Sequence, residues 1–381
     1  MRTTTRLAPA LAGLLLAAGP LSAEIFVQCP SGPGVVCKHL AAGDGLIRMA
    51  DGEVKYVFGF SDMTGIPAAD VMTAGTLAAN FPGPTIEVKE GDKLYLTLSN
   101  VGMAMRPDLF DPHTVHWHGF PNAAPVFDGM PDGSIAINQG ASLTYFYDVV
   151  EPGTYMYHCH MEATEHMQMG MLANLYVHPA QDGTPYADGL GRTFTKFAYN
   201  DGDGSTGFDV EVPIQIGSMD GAFHDASSSI QPLPFANMKD NYPMLNGRGY
   251  PDTASATAPT PPPDNGGKVS QPIDSRIVAT AGQRILLRIS NLNVTRFNTL
   301  AAYGLPMRVV GEDARLLRGP SGQDTSYLTS SVTIGGGQSV DVILDTYGVA
   351  PGTYPLYTTN LNFLSNDTQD LGGMMTEIVV Q

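Results

Sequence analysis

Three features of the sequence predict an all-β chain built as two copies of one β-sandwich. Gly (43) and Pro (29) make up about 19% of the 381 residues, a turn-rich composition. Residues 86–100 alternate apolar and polar side chains around a Gly91-Asp92 turn, the period of a half-buried strand. The same pattern returns at 277–291, and the repeat continues. Pro152 to Tyr155 comes back as Pro351 to Tyr354, and Gly170 to Val177 as Gly373 to Val380. Short strands at regular spacing with turn signals between them read as sandwiches.

From the N-terminus, residues 1–23 read as an export signal. Arg2 and Arg6 give a basic start, Leu7 to Gly19 is an apolar run too short to span a bilayer, and Ala23 is a small residue suited to cleavage. No Arg-Arg pair precedes the run and no Cys follows the cleavage point. The expectation is a soluble, unlipidated protein exported unfolded to the periplasm or the extracellular space. Domain 1 is then 24–178, and a connector with little periodicity covers 179–235. Domain 2 is 236–381, with a Pro-rich exposed loop at 258–267. The formal net charge is −17, and loss of the two signal arginines takes it to about −19. That excludes nucleic acid and anionic lipid surfaces as partners, since both demand a basic face. No run of 18 apolar residues occurs, so no membrane insertion is expected.

Three cysteines are present. Cys29 and Cys37 are close enough for a short-loop disulfide in an oxidising compartment. Cys159 is left over, and an unpaired thiol in an exported chain needs a use.

Six of the nine histidines supply one. They fall in two strings, His113, His116 and His118, then His158, His160 and His166. Alternate side chains of a strand point to opposite faces. His116 and His118 therefore share a face while His113 takes the other, and His158 and His160 share a face opposite Cys159. If the two strings are neighbouring unbroken strands, His113 and Cys159 meet inside the sandwich. Four imidazoles collect on the opposite side. The loop after Cys159 offers the inner site His166 and Met171. Two imidazoles, a thiolate and a weak thioether are the blue-copper set, and Met is not a usual zinc ligand. The outer four, His116, His118, His158 and His160, suffice for one or two copper ions.

Other residues have duller readings beside the chemical ones. Asp128 is a candidate for proton delivery to the outer histidines, or a plain turn residue. Trp117 shares the Cys159 side by parity and is expected in the core. Met161, Met167 and Met169 read as packing rather than Cu(I) ligands, and His39, His178 and His224 as non-ligands.

The two strings resemble the copper motifs of multicopper oxidases, His-x-x-His-x-His-Gly and His-Cys-His followed by His-x-x-x-Gly-Met. The resemblance implies two cupredoxin-like Greek-key domains. It is greatest for small two-domain laccase-like oxidases with the blue copper in domain 1, and it extends to copper nitrite reductases. Both groups form trimers whose catalytic copper lies between domain 1 of one subunit and domain 2 of the next. By resemblance, His113, Cys159, His166 and Met171 are type 1 copper ligands, His116 is a type 2 ligand, and His118, His158 and His160 are type 3 ligands. A homotrimer and a small-molecule or protein electron donor follow on the same ground.

Domain 2 departs from the pattern. The repeat sets Asn298 opposite His113, Ala301 opposite His116 and Tyr303 opposite His118. Tyr357, Thr358 and Thr359 stand opposite His158, Cys159 and His160. No histidine remains for a second half of a trinuclear cluster, or for the third ligand of a nitrite reductase copper. The favoured reading is an oxidoreductase that passes electrons from a reductant through a type 1 copper to a reduced histidine-bound copper site. The alternatives are a non-enzymatic electron carrier and a copper-buffering protein. Domain 2 is expected as a lid over a neighbour's histidine face, approached by Tyr303 and Tyr357.

Overall fold

Eight strands build the first sandwich: β1 (Val35–Arg48), β2 (Val54–Asp62), β3 (Ile86–Lys89), β4 (Lys93–Gly102), β5 (His116–His118), β6 (Ser142–Asp148), β7 (Gly153–His158) and β8 (Leu172–His178). The computed structural model describes residues 25–121, 123–229 and 233–381, so the predicted signal segment 1–23 lies outside the described residues. The alternating stretch 86–100 is cut at Gly91, whose φ of +92° only glycine adopts readily. The cut sends β3 to one sheet and β4 to the other. One sheet runs β2-β1-β4-β6 and the other β3-β8-β7-β5. Between them lie Leu94, Leu96 and Leu98 of β4, Trp117 of β5, Tyr155 and Tyr157 of β7, and Leu175 and Val177 of β8, all buried. Fully burying each such side chain contributes about 1.5–3 kcal/mol.

The second sandwich repeats this topology. Val210–Met219 runs parallel to Arg284–Asn291 as β1 runs parallel to β4. Ile277–Ala279 runs parallel to Met375–Val380 as β3 does to β8. Its core is aliphatic, with Ile214, Ile216, Ile285, Leu287, Ile289, Val342 and Leu344 buried. The expected connector 179–235 therefore contains a ten-residue strand of the second sheet. Val210, Val212, Ile214 and Ile216 do alternate, but Pro213 and Gly217 inside the run disguise the period. The Pro-rich loop is also less free than expected. Asn265 is buried, accepting from the Leu46 N–H at 2.9 Å and donating to its carbonyl at 2.6 Å, so it pairs with β1 as a strand would.

The sandwiches meet along β7 and β8, where an apolar cluster that includes Met156, Leu172, Met219 and Leu292 adjoins a buried polar seam. Arg288 is fully buried, donates to Glu211 and to Thr154 (3.0 Å), and stacks its guanidinium 5.2 Å over the Tyr176 ring. Thr154 donates to Asp341 at 2.5 Å, and Tyr199 donates to the same carboxylate. Cys29 and Cys37 form the expected disulfide, and Cys159 is a buried free thiol. Among the described residues no helix is long and apolar enough to cross a membrane.

Candidate metal centre

The centre is built on the segment between β7 and β8. β7 ends at His158, and a short helix, Ala163–Met169, returns the chain to β8. Gly170 stops that helix with φ +117°, and its N–H reaches the His166 carbonyl at 3.1 Å. A Cβ there would lie 2.6 Å from the Phe81 ring and 2.8 Å from the Phe58 carbonyl oxygen, so both conformation and space require glycine. The tight return lets the Met171 carbonyl accept from the Cys159 N–H at 3.1 Å. It also lays His166 beside the sulfur.

His113, Cys159 and His166 are fully buried and their donor atoms lie within 4.8 Å of one another. The Cys159 Sγ is 3.7 Å from His113 Nδ1 and 3.2 Å from His166 Nδ1. Metal–nitrogen and metal–sulfur bonds of about 2.0 and 2.3 Å, opening at roughly 120°, place donors about 3.7 Å apart. The triad thus has the spacing of three ligands round one ion. Two imidazoles and a thiolate in a trigonal set suit copper. Met171 is fully buried in the same core, next to Gly170, and its N–H donates to the His166 carbonyl. Burial pulls His113 well below the usual imidazole range, and His166 adds to this. Burial acts on His166 too, but the Cys159 sulfur and Asp111 outweigh it and push His166 up to about 10.

His116, His158 and His160 form a second group, again within 4.8 Å. The opposite faces expected from parity are found, although the strands are shorter than the argument assumed. β5 holds only three residues, His113 sits in an isolated bridge to Ile137, and Cys159 and His160 lie just beyond β7. Register pairs His116 with His158 across β5 and β7. His158 Nδ1 lies 2.8 Å from the Cys159 carbonyl and His116 Nδ1 2.5 Å from the Asp128 carbonyl. An imidazole donating at Nδ1 presents its Nε2 lone pair to a metal. Burial holds His158 down to about 3, with its imidazole neighbours adding to the effect, and lowers His160. Both rings are thus neutral, as ligands must be. His118, expected with these three, stands outside the group, its ring centroid 6.1 Å from that of His116 and 5.9 Å from that of His158.

Asp128 meets the site through its carbonyl, while its carboxylate is 3.6 Å from His116 Nδ1. Gly129 permits this approach: at φ +76° a Cβ would stand 2.2 Å from the Val115 carbonyl oxygen. Trp117 is in the core as expected, with its ring 4.0 Å from that of Tyr147. Met169 is fully buried, and Met161 packs on the same core. Met167 instead borders the histidine cleft. The isolated histidines have other partners: His39 bonds Ser99, His178 sits 3.6 Å from Glu87, and His224 lies between the Tyr56 and Gln168 carbonyls.

Sequence reasoning missed three contributors. Asp111 places a carboxylate oxygen 3.9 Å from His166 Nε2. Thr114 accepts from the His160 N–H at 3.2 Å. The third is the second sandwich of the same chain, which borders the histidine face. A cleft of about 550 Å³ is lined by His118, His158 and His160 on one side and by Asn293, Arg296 and Gly337 on the other. The visible signal was the triplet Gly335 to Gly337, a run no ordinary turn needs. Tyr303, expected over a histidine face, is 70% exposed in the single chain.

Residues 63–182 match the family model described as multicopper oxidase. Among curated relatives, putative laccase-17 of Oryza sativa subsp. japonica is 26% identical over 295 residues, 74% of this chain and 42% of that protein. The chain spans less than half the length of the curated relatives it matches. Among solved structures, a blue copper oxidase from Nitrosomonas europaea aligns with TM-score 0.66 at 21% identity, over 91% of this chain and 86% of that one. A copper nitrite reductase from the same organism aligns with TM-score 0.58 at 16% identity, over 91% and 94%. The all-β, cupredoxin-like sandwich fold predicted from the sequence is thereby shown.

Proposed function

We propose that this protein is an exported copper-dependent oxidoreductase of the multicopper oxidase type. The observation that carries the reading is the pair of donor groups back to back on one tripeptide. Cys159 belongs to the inner triad, while His158 and His160 on either side belong to the outer group. His113, Cys159 and His166 would hold a type 1 copper with Met171 as its weak thioether, and the outer imidazoles would hold a second centre. Copper bound at these places supplies one-electron transfer from a reductant to the outer centre.

The chain's own residues do the rest. Full burial keeps water from the Cys159 sulfur. The backbone from His158 to His160 joins the centres covalently. The Asp128 and Cys159 carbonyls fix the rings of His116 and His158. The cleft beside His158 and His160 gives a small substrate access. A trimer and a small-molecule or protein donor are part of the proposal by likeness to the family. Export is supported by the Cys29–Cys37 disulfide, a bond kept in oxidising compartments.

The test is reconstitution with Cu(II) and a visible spectrum. An intense blue band is expected, lost in Cys159→Ser because the sulfur-to-copper transition needs that thiolate. Colour surviving the substitution refutes the inner ligand set. Oxygen uptake with phenolic, metal-ion and protein donors then separates an oxidase from a carrier. Full copper loading with no turnover on any donor refutes the enzyme reading in favour of the carrier.

A further inference from the structure

The histidine face was expected to use four imidazoles and to take one or two ions. The structure divides the four unequally. The rings of His116, His158 and His160 form a near-equilateral triangle, with centroid separations of 4.8, 5.2 and 5.2 Å. His118 is outside it. We infer that this face is a single-ion site of three imidazoles with one open position, and that His118 is a contact to the second sandwich instead of a ligand. This rests on the proposed presence of copper at the histidine face and fixes how many ions that face holds.

Three observations converge on it. First, the triangle is pre-oriented. His116 and His158 each have Nδ1 against a carbonyl, at 2.5 and 2.8 Å, which leaves Nε2 as the donor. His160 has a buried Nδ1 with no hydrogen-bond partner, an atom that costs about 1–3 kcal/mol unless something satisfies it. Three imidazoles round one ion, with a fourth position open, is the ligand count of a catalytic centre.

Second, His118 is already engaged. Its ring lies against Gly337 of the second sandwich, at the edge of the shared cleft. A Cβ at Gly337 would lie 2.6 Å from His118 Cε1 and 3.0 Å from its Nε2. The ring thus fills the space that a side chain at position 337 would need. The two glycines before it are equally constrained, Gly336 by the Asn293 carbonyl (2.3 Å) and Gly335 by the Phe297 ring (2.7 Å). Of the three, Gly337 is the one that faces His118.

Third, the second sandwich offers the cleft few donors. Among the described residues that border the cleft from that side, Asn293, Thr295, Arg296 and Phe297 included, there is no imidazole, thiol or carboxylate. The positions equivalent to His116 and His158 are Ala301 and Tyr357. They pair in the same register, Ala301 with Tyr357 as His116 with His158. The second sandwich has kept the strand pairing and none of the ligands.

The experiment is copper counting and electron paramagnetic resonance on the full chain, loaded with Cu(I) under anaerobic conditions and then oxidised. Two coppers per chain are expected, all paramagnetic, as one type 1 and one type 2 signal of equal intensity. His160→Ala should drop to one copper and keep the blue band, whereas His118→Ala and His118→Gln should keep both coppers and both signals. The blue band reports that each variant has folded. Three or more coppers per chain, a spin-silent coupled pair, or loss of the second copper in a blue, folded His118→Gln protein overturns the inference. Wild-type protein that is blue and holds one copper overturns the broader reading of a histidine-face centre. Colourless protein overturns the inner site.

Discussion

Replacing Gly170 with Ala tests whether the return from the short helix to β8 sets the inner triad. Two costs arise. A φ of +117° is strained for any residue with a Cβ, at about 1–3 kcal/mol. The added methyl would also sit 2.6 Å from the Phe81 ring and 2.8 Å from the Phe58 carbonyl, an overpacking of about 1–3 kcal/mol in a filled core. The sum is roughly 2–6 kcal/mol, and relaxation would move the Met171 carbonyl off the Cys159 N–H. Gly183→Ala is the control, because its φ is +92° but nothing lies within 4 Å of its Cβ. It should show only the conformational part. The assay is urea unfolding of the copper-free proteins, followed by the position and intensity of the blue band after copper loading. Gly170→Ala should lose clearly more stability than Gly183→Ala and shift or bleach the band. Equal losses in the two variants, with an unchanged band, would refute the claim that the close approach at Gly170 positions His166 and Met171.

Two further outcomes follow from buried charge. In copper-free protein, burial depresses His158 to about 3 and lowers His160, so the unfolded chain binds more protons below about pH 6.5 and stability falls on acidification. The drop in urea midpoint between pH 7.5 and 5.5 should shrink in His158→Gln, and an unchanged drop counts against the neutral buried ring. Arg288→Ala strands Asp341, which is fully buried with Arg288 as its cationic neighbour at 3.7 Å, and should cost about 3–5 kcal/mol. Calorimetry that gives a loss below about 1 kcal/mol would show that the seam between the sandwiches does not depend on that charge.

Legibility followed the range of the signal. The strand pattern at 86–100, its return at 277–291 and the parity of His116, His118, His158 and Cys159 are local facts about one or two strands. They survived into the structure even though β5 is only three residues long. His166 was readable because a short loop has to come back to Cys159. The strand at Val210–Met219 was missed because Pro213 and Gly217 interrupt its apolar pattern, and from Ile214 onward both faces are buried, so no clean alternation is left to read. Asp111 and Asn293 could not be read, because one meets His166 and the other borders the cleft through contacts that only the fold makes. The Gly335–Gly337 triplet was visible, but not that Gly337 meets His118, 219 positions before it. The separation of His118 from its three neighbours belongs to the same class. Strand parity gives it the right face, and only the packing of the other sandwich decides what it touches there.

That packing also explains why a sandwich stripped of ligands is retained. The register of Ala301 with Tyr357 repeats that of His116 with His158, so losing the imidazoles did not disturb the strands that carried them. Asn298 stands where His113 does, buried with both side-chain polar atoms unpartnered. What the second sandwich supplies instead is a wall. Gly337 meets His118, Asn293 and Arg296 border the cleft, and the Arg288–Asp341–Thr154 seam holds that wall against β7, the strand that ends in His158. Copper chemistry confined to one sandwich therefore still needs the other, because an imidazole triangle open on every side would leave its fourth position to bulk water. Loosening the seam should then act on the outer centre first. In Arg288→Ala the type 2 signal should broaden or change while the blue band, whose ligands all lie within the first sandwich, stays where it was.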